Sequence, residues 1–258
     1  MDIKKIYLVA ERDIMSITQQ KAFIIMRWVW FFVQVAIFGY ALANLVSPSY
    51  YYYKEYYTVG IYIVTLYSSS ITIAYEILEE AESGVVDYLL SLPITRKELE
   101  IGRSIGGGLR GIIITLPPFI TTLYLIGVTD PVLLIEAGIS IFLLSFGVAG
   151  LGITLASTLK SGDKTDIILG MIDAFIARLS TVFYPIQAIT KSNPVYGVLA
   201  RLNPLTYAAD VLRASLLVPQ GITLDPLMGI MILFAFAIGT TTLAVLFYER
   251  NLEGGGWT

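Results

Sequence analysis

Six long apolar stretches alternate with polar breaks along the chain. They run from Ala22 to Val46, Thr58 to Ala74, Leu109 to Val128, Val132 to Leu159, Ile167 to Ile189 and Pro226 to Tyr248. Each is close to the ~20 residues that cover a ~30 Å hydrocarbon core. Backbone polar groups in lipid have to be satisfied internally, so the pattern predicts six membrane-spanning helices. Ahead of the first stretch, within residues 1–21, Ile3, Ile6, Tyr7, Ala10, Ile14 and Ile17 recur at helical spacing, while Lys4, Lys5, Glu11 and Arg12 lie largely off that stripe. A helix patterned in this way lies in the membrane interface.

Two connecting segments are longer than a hairpin needs. The first, residues 76–108, reads EILEEAESGVVDYLLSLPITRKELEIGRSIGGG. Glu76, Glu79, Glu80 and Glu82 carry the second span into water as a charged helix. Gly84 is a natural stop. Val86, Leu89 and Leu90 then share one face of a short helix over Val85 to Leu92, with Asp87 off that face, and Pro93 ends it. Thr95 with Glu98 three residues on forms a capping box for the next helix. The second segment, residues 190–225, contains Asn203-Pro204, which can start a turn or cap a helix. A helical pattern follows from Leu205 to Leu217, in which Asp210 and Arg213 stand three apart and can pair. At ~13 residues it is too short to span, so it lies at the interface or dips partly into it.

Charged residues make up 14% of the 258 positions and hydrophobic ones 56%, against the ~25% charged of an ordinary globular domain. A soluble fold could not hide this much apolar surface. The net charge of -3 argues against a free-standing nucleic-acid binder. The chain has neither His nor Cys. Disulfide frameworks, Cys- or His-based metal sites, Ser-His-Asp and Cys-His catalysis are therefore excluded. No G-x-x-x-x-G-K-[ST] loop is present, so the chain does not bind ATP in the Walker manner.

Lys and Arg set the orientation. With the N-terminus inside, Lys4, Lys5, Arg12, Lys21, Arg96, Lys97, Arg103, Lys160, Lys164 and Arg250 are cytoplasmic. Lys54, Lys191, Arg201 and Arg213 are outside, three of them in one long loop. The excess predicts a multi-pass protein of the cell membrane with both termini cytoplasmic.

The residues of the cytoplasmic segment resemble type-2 ABC exporter permeases, which carry a pattern close to E-x-E-x-G-T-L-E-x-L-L-x-S-P-[VIL]-[ST]-R-x-[EQ]-x-x-x-G-K. Glu80, Glu82, Gly84, Asp87, Leu89, Leu90, Pro93, Ile94, Thr95, Arg96, Gly102 and Arg103 fall in register without a gap. Val85, Leu92 and Arg103 depart from it in residue type but preserve the charge pattern and the breaks. The outer segment resembles the same family's N-P-L-T-Y-x-x-[DE]-x-[LF]-R, through Asn203, Pro204, Leu205, Thr206, Tyr207, Asp210, Leu212 and Arg213.

The resemblance implies an all-α membrane protein in which 1–258 form one permease domain. It implies six transmembrane helices, an N-terminal amphipathic helix, a coupling helix between spans 2 and 3 and an external re-entrant or gate helix between spans 5 and 6. Glu80, Glu82, Gly84, Asp87, Leu89, Leu90, Pro93 and Arg96 would then serve ATPase coupling, and Asn203, Pro204, Tyr207, Asp210 and Arg213 the external gate. It further implies a separate ATP-binding-cassette ATPase subunit, two per complex, that carries ATP and Mg while this chain binds no cofactor. Two permeases, either two copies or this chain with a paralogue, would enclose one path in the lipid, and export would be the direction.

Inside the spans, Asp173 and Arg178 are costly, since a charge at the bilayer centre costs ~2.5–3.5 kcal/mol on insertion scales. A five-residue spacing puts them on different sides of one helix. They either line a path or make structural polar contacts, and an ion-coupled secondary transporter that uses them is the alternative reading. Arg27 is near enough to the cytoplasmic end to snorkel. Ser69 and Thr72 belong to a hydroxyl cluster with Ser68 and Ser70 that bonds helix to helix or touches substrate. Gly102 with Gly106, and Gly107 with Gly111, are G-x-x-x-G pairs suited to close helix packing. An intramembrane aspartyl protease would need a second Asp facing Asp173, and no other lies well inside a span.

Overall fold

The computed structural model describes residues 2–41, 53–127, 131–159, 162–216 and 225–253. The predicted limits at Val46, Val128 and Leu217 fall outside them, and so does the side chain of Asp87. Every element described is helical. Helix α1 (Ile3–Met15) is capped by Asp2, whose side chain accepts from the Lys4 amide at 3.0 Å. A 3-10 turn (Ser16–Gln19) leads to α2 (Lys21–Gln34), which continues as a π-helical stretch (Val35–Ala41). Helices α3 (Tyr53–Ser70) and α4 (Ile73–Glu82) follow, then α5 (Val85–Ser91), α6 (Arg96–Ile126), α7 (Pro131–Leu159), α8 (Gly162–Arg178), α9 (Ile186–Ser192), α10 (Pro194–Leu202), α11 (Pro204–Ser215) and α12 (Pro226–Glu253).

Among the described residues, five helices are long and apolar enough to cross a membrane: Lys21–Ala41, Tyr53–Glu82, Arg96–Ile126, Leu134–Leu159 and Pro226–Tyr248. The predicted fifth span, Ile167 to Ile189, differs. Its helix is the 17-residue α8, which stops at Arg178, and the chain is non-helical until α9 begins at Ile186. The break has tertiary causes. The Tyr56 hydroxyl donates to the Thr181 carbonyl, Arg213 donates to the Val182 carbonyl at 2.9 Å, and the Thr181 amide donates to the Thr206 hydroxyl at 3.2 Å. Carbonyls and amides spent on other helices are unavailable to an α-helical ladder.

The centre of the molecule is α3, buried along almost its whole length between α6, α7 and α11. Gly60 makes that possible, because a Cβ there would stand 2.0 Å from the Val182 carbonyl oxygen of the break. The G-x-x-x-G pairs of α6 pack as their spacing predicts. A Cβ at Gly102 would lie 2.6 Å from that of Val9, so α1 and α6 meet closely, while Gly107 faces Ile73 and Ala149. By contrast α2 and the π-helical stretch after it stand at the margin, with Ile25, Met26, Val29, Trp30, Val33 and Ile37 exposed.

Candidate functional site

Three places gather the polar groups: a knob below α3–α4, a capped bend at the opposite end, and a groove on the flank. In the knob, Gly84 takes the left-handed conformation (φ 76°) between α4 and α5, which a side chain would make costly. The N-terminus of α6 is closed by the predicted capping box. Glu98 accepts from the Thr95 amide at 3.0 Å and Thr95 accepts from the Glu98 amide at 3.3 Å. Glu98 also accepts from the Asp2 amide at 2.5 Å, which ties the start of α1 to the start of α6.

The acids of the knob divide. Glu80 pairs with Arg12 at 2.9 Å and with Arg103, while Glu76 pairs with Arg110 and accepts from Gln20 at 2.7 Å. Glu80 and Glu76 share one face of α4, and Arg103 and Arg110 share one face of α6, which runs antiparallel to it. Glu79 and Glu82 face solvent. On α5, Val86 and Leu89 turn inward, Leu90 is half-buried, and Tyr88 is 65% exposed. Pro93 is exposed, with its carbonyl accepting from the Lys5 ammonium, and Arg96 is half-buried. Thus Glu80 and Leu89, two predicted coupling residues, brace the knob from within, and Tyr88 presents its outer surface. Tyr88 was not among the predicted coupling residues, and its place two residues from Val86, on the other side of a helix, was the available signal.

Asp13 was not singled out by the sequence reading. It is buried and accepts from the Arg12 Nε and Nη2 at 3.1 and 2.8 Å. Burial pushes its carboxyl above the ordinary value, and the Arg103 and Arg12 guanidiniums oppose that rise. Its position on the apolar stripe of Ile6, Ala10 and Ile17 was the available signal, since a carboxylate there has to find a cation.

At the other end, Asn203 accepts from the Leu205 amide at 3.0 Å and donates to the carbonyls of Ile176 and Leu179 at 2.6 and 3.1 Å. Pro204 opens α11, and the Tyr207 hydroxyl donates to the Arg201 carbonyl. Arg213, fully buried, lies 3.4 Å over the Tyr56 ring and 3.5 Å from Asp210. Asn203, Tyr207 and Arg213 thus hold α11 to α8, α10 and α3 in turn, and α11 is inserted among α3, α7 and α12.

Asp173 and Arg178 are both exposed and are not brought together. Asp173 faces a groove with Phe23, Met26, Arg27, Trp30, Val64 and Ser68. Ser69 and Thr72 are buried and donate to nearby backbone, Ser69 within α3 to the Thr65 carbonyl at 2.8 Å and Thr72, in the turn after α3, to the Ser69 carbonyl at 2.7 Å. The bond between helices belongs to Ser70, 2.7 Å from Ser145 on α7. Among the described residues no group of three or more carboxylates is placed to hold a metal ion.

A multi-pass helical membrane protein with a capped knob at one end and a buried polar cluster at the other is what these elements define. The family model described as ABC-2 type transporter matches residues 4–217, and the chain belongs to that family, a permease of an ABC transporter. No curated protein matches it significantly. Family membership favours an ABC permease over ion-coupled secondary transport.

Proposed function

We propose that this chain is the permease subunit of an ABC exporter, driven by ATP hydrolysis on a separate subunit. The observation that carries the reading is α5, a short helix isolated between Gly84 and Pro93 that presents Tyr88 outward on a base braced by ion pairs. An exposed aromatic on a rigid base is the anchor that a cleft in a soluble partner takes. Glu82, Asp87 and Arg96 lie in the same segment and supply charge around it. In this reading the knob is cytoplasmic and both termini are inside. Helix α8 with the bend after it makes the fifth of six passes, and α9 to α11 form the external gate.

Two ATPase subunits, carrying ATP and Mg, act on two permeases, whether copies of this chain or a paralogue. Closure of the ATPase pair pushes on α5, and the force passes through Glu80, Arg103 and Arg12 to α1 and α6. The chain binds no cofactor of its own. Affinity purification of the full chain from its native membrane should retain a soluble Walker-type ATPase. Tyr88→Asp should lower that retention about tenfold or more, the scale of losing an aromatic anchor. Recovery of the chain with no such ATPase would sink the reading.

A further inference from the structure

The groove on the flank of the molecule contains an unusual pairing. Arg27 of α2 and Asp173 of α8 both open onto it, close enough to attract each other electrostatically, yet they form no ion pair within 4.0 Å. Arg27 donates one bond, from Nη2 to the Ser68 carbonyl at 3.1 Å, and its guanidinium sits 4.9 Å from the Phe23 ring centroid. These contacts hold the guanidinium in place, and Arg27 itself lines the groove. Asp173 has no hydrogen-bond partner among the described residues and is exposed. Phe23, Met26, Trp30 and Val64 supply the apolar wall, and the space is about 370 Å³. Tyr67, one residue before Ser68, keeps a buried hydroxyl with no hydrogen-bond partner beside this site.

A held cation and a separate, unpartnered anion, set across an apolar slot on the flank of the molecule, match a ligand that carries both charges on one head and a hydrocarbon tail. We infer that this groove binds the zwitterionic headgroup of an amphiphile, with Arg27 receiving its anionic group, Asp173 its cationic group, and Trp30 and Met26 lying along its tail. The inference rests on the transporter reading, of which it names the substrate class. Arg27 lies six residues into α2 from Lys21, about 9 Å at 1.5 Å per residue. With the N-terminus inside, the groove therefore meets the cytoplasmic leaflet, the side from which an exporter loads.

The test uses the full chain in uncharged maltoside micelles, with Trp28→Phe and Trp257→Phe so that Trp30 alone reports. Brominated amphiphiles of equal tail length serve as quenchers: a phosphocholine, a sulfate, a trimethylammonium and a maltoside. Saturable quenching should be tightest for the phosphocholine. Arg27→Gln and Asp173→Asn should each weaken it about tenfold, the effect of losing one charge-assisted hydrogen bond. Arg27→Gln should spare the trimethylammonium and Asp173→Asn the sulfate, whereas a misfolded variant would lose all four alike, and Arg27→Lys should preserve the order of preference. Equal quenching by all four overturns the inference. So does a phosphocholine preference that survives both substitutions, and so does a groove sealed by a second copy of the chain that admits none. ATPase retention is measured separately, so a chain that binds the phosphocholine without recruiting an ATPase refutes the transporter reading alone.

Discussion

A single carboxylate on α4 holds three elements together. Glu80 is 24% exposed, yet it pairs with Arg103, which is 1% exposed, and with Arg12. Glu80→Ala would strip the buried Arg103 guanidinium of its ion-pair partner, leaving the electrostatic attraction of Asp13, a loss of about 3 kcal/mol. Glu82→Ala, two residues on and facing solvent, should cost less than about 0.5 kcal/mol. Thermal melts of the two variants in detergent check the contrast. Asp13 gives a pH signature. Its carboxyl is held above the ordinary value by burial, so the folded state binds its proton more tightly than the unfolded state does. The stability it contributes is fully present below the ordinary carboxylate range and is lost as pH rises through the raised value. Asp13→Asn should flatten that part of the stability-pH curve, and melts across the acidic range would detect it. A curve unchanged by the substitution would show that Asp13 is not the source. At the other end, Arg213→Lys keeps the charge but removes the planar stack on Tyr56, and should lower stability by about 1–3 kcal/mol.

At the scale of elements, the close contact of α1 with α6 depends on Gly102. Gly102→Leu should push α1 off α6, and a disulfide engineered between Val9→Cys and a neighbouring α6 position should then form more slowly. The knob and the helix caps were legible in the sequence because they are local. Gly84, Pro93 and the Thr95–Glu98 box act on their own backbones, and α5 ends at Ser91, within a residue of its predicted limit. The end of α8 was not legible. Leu179, Val182 and Phe183 continue an apolar run that periodicity reads as helix, and the groups that interrupt it, Tyr56, Thr206 and Arg213, lie far off in the chain. The gate residues were readable as a pattern, but their burial was not. Glu80 was legible in part: the knob's acids could pair with a partner or with the N-terminal amphipathic helix, and Arg12 fits the second alternative, but nothing local pointed to the buried Arg103.

For the whole molecule, orientation is the quantity that composition alone bears on. The chain has no cysteine of its own, so one introduced thiol reports without background. Ser83→Cys should react with a membrane-impermeant maleimide only after the cells are permeabilised, and Lys191→Cys should react in intact cells. The reverse pattern would invert the topology and place α5 out of reach of a cytoplasmic ATPase.

The stretch from Tyr53 to Glu82 has one further consequence, in distance and ionic strength. From Glu55 to Glu76 is 21 residues, about 31 Å at 1.5 Å per residue, enough to cross the ~30 Å hydrocarbon core. Glu76 then stands at the inner rim, and Glu82 projects about 9 Å further. The headgroup layer adds roughly 5–7 Å beyond the hydrocarbon core on each side, so Glu82 stands well within one Debye length, ~8 Å at physiological salt, of the headgroup charge. The tip of the knob therefore stays in the field of an anionic leaflet. A basic partner approaching Glu79 and Glu82 meets the charge of the knob and of the headgroups together, so its docking should strengthen with the fraction of acidic lipid and weaken with added salt.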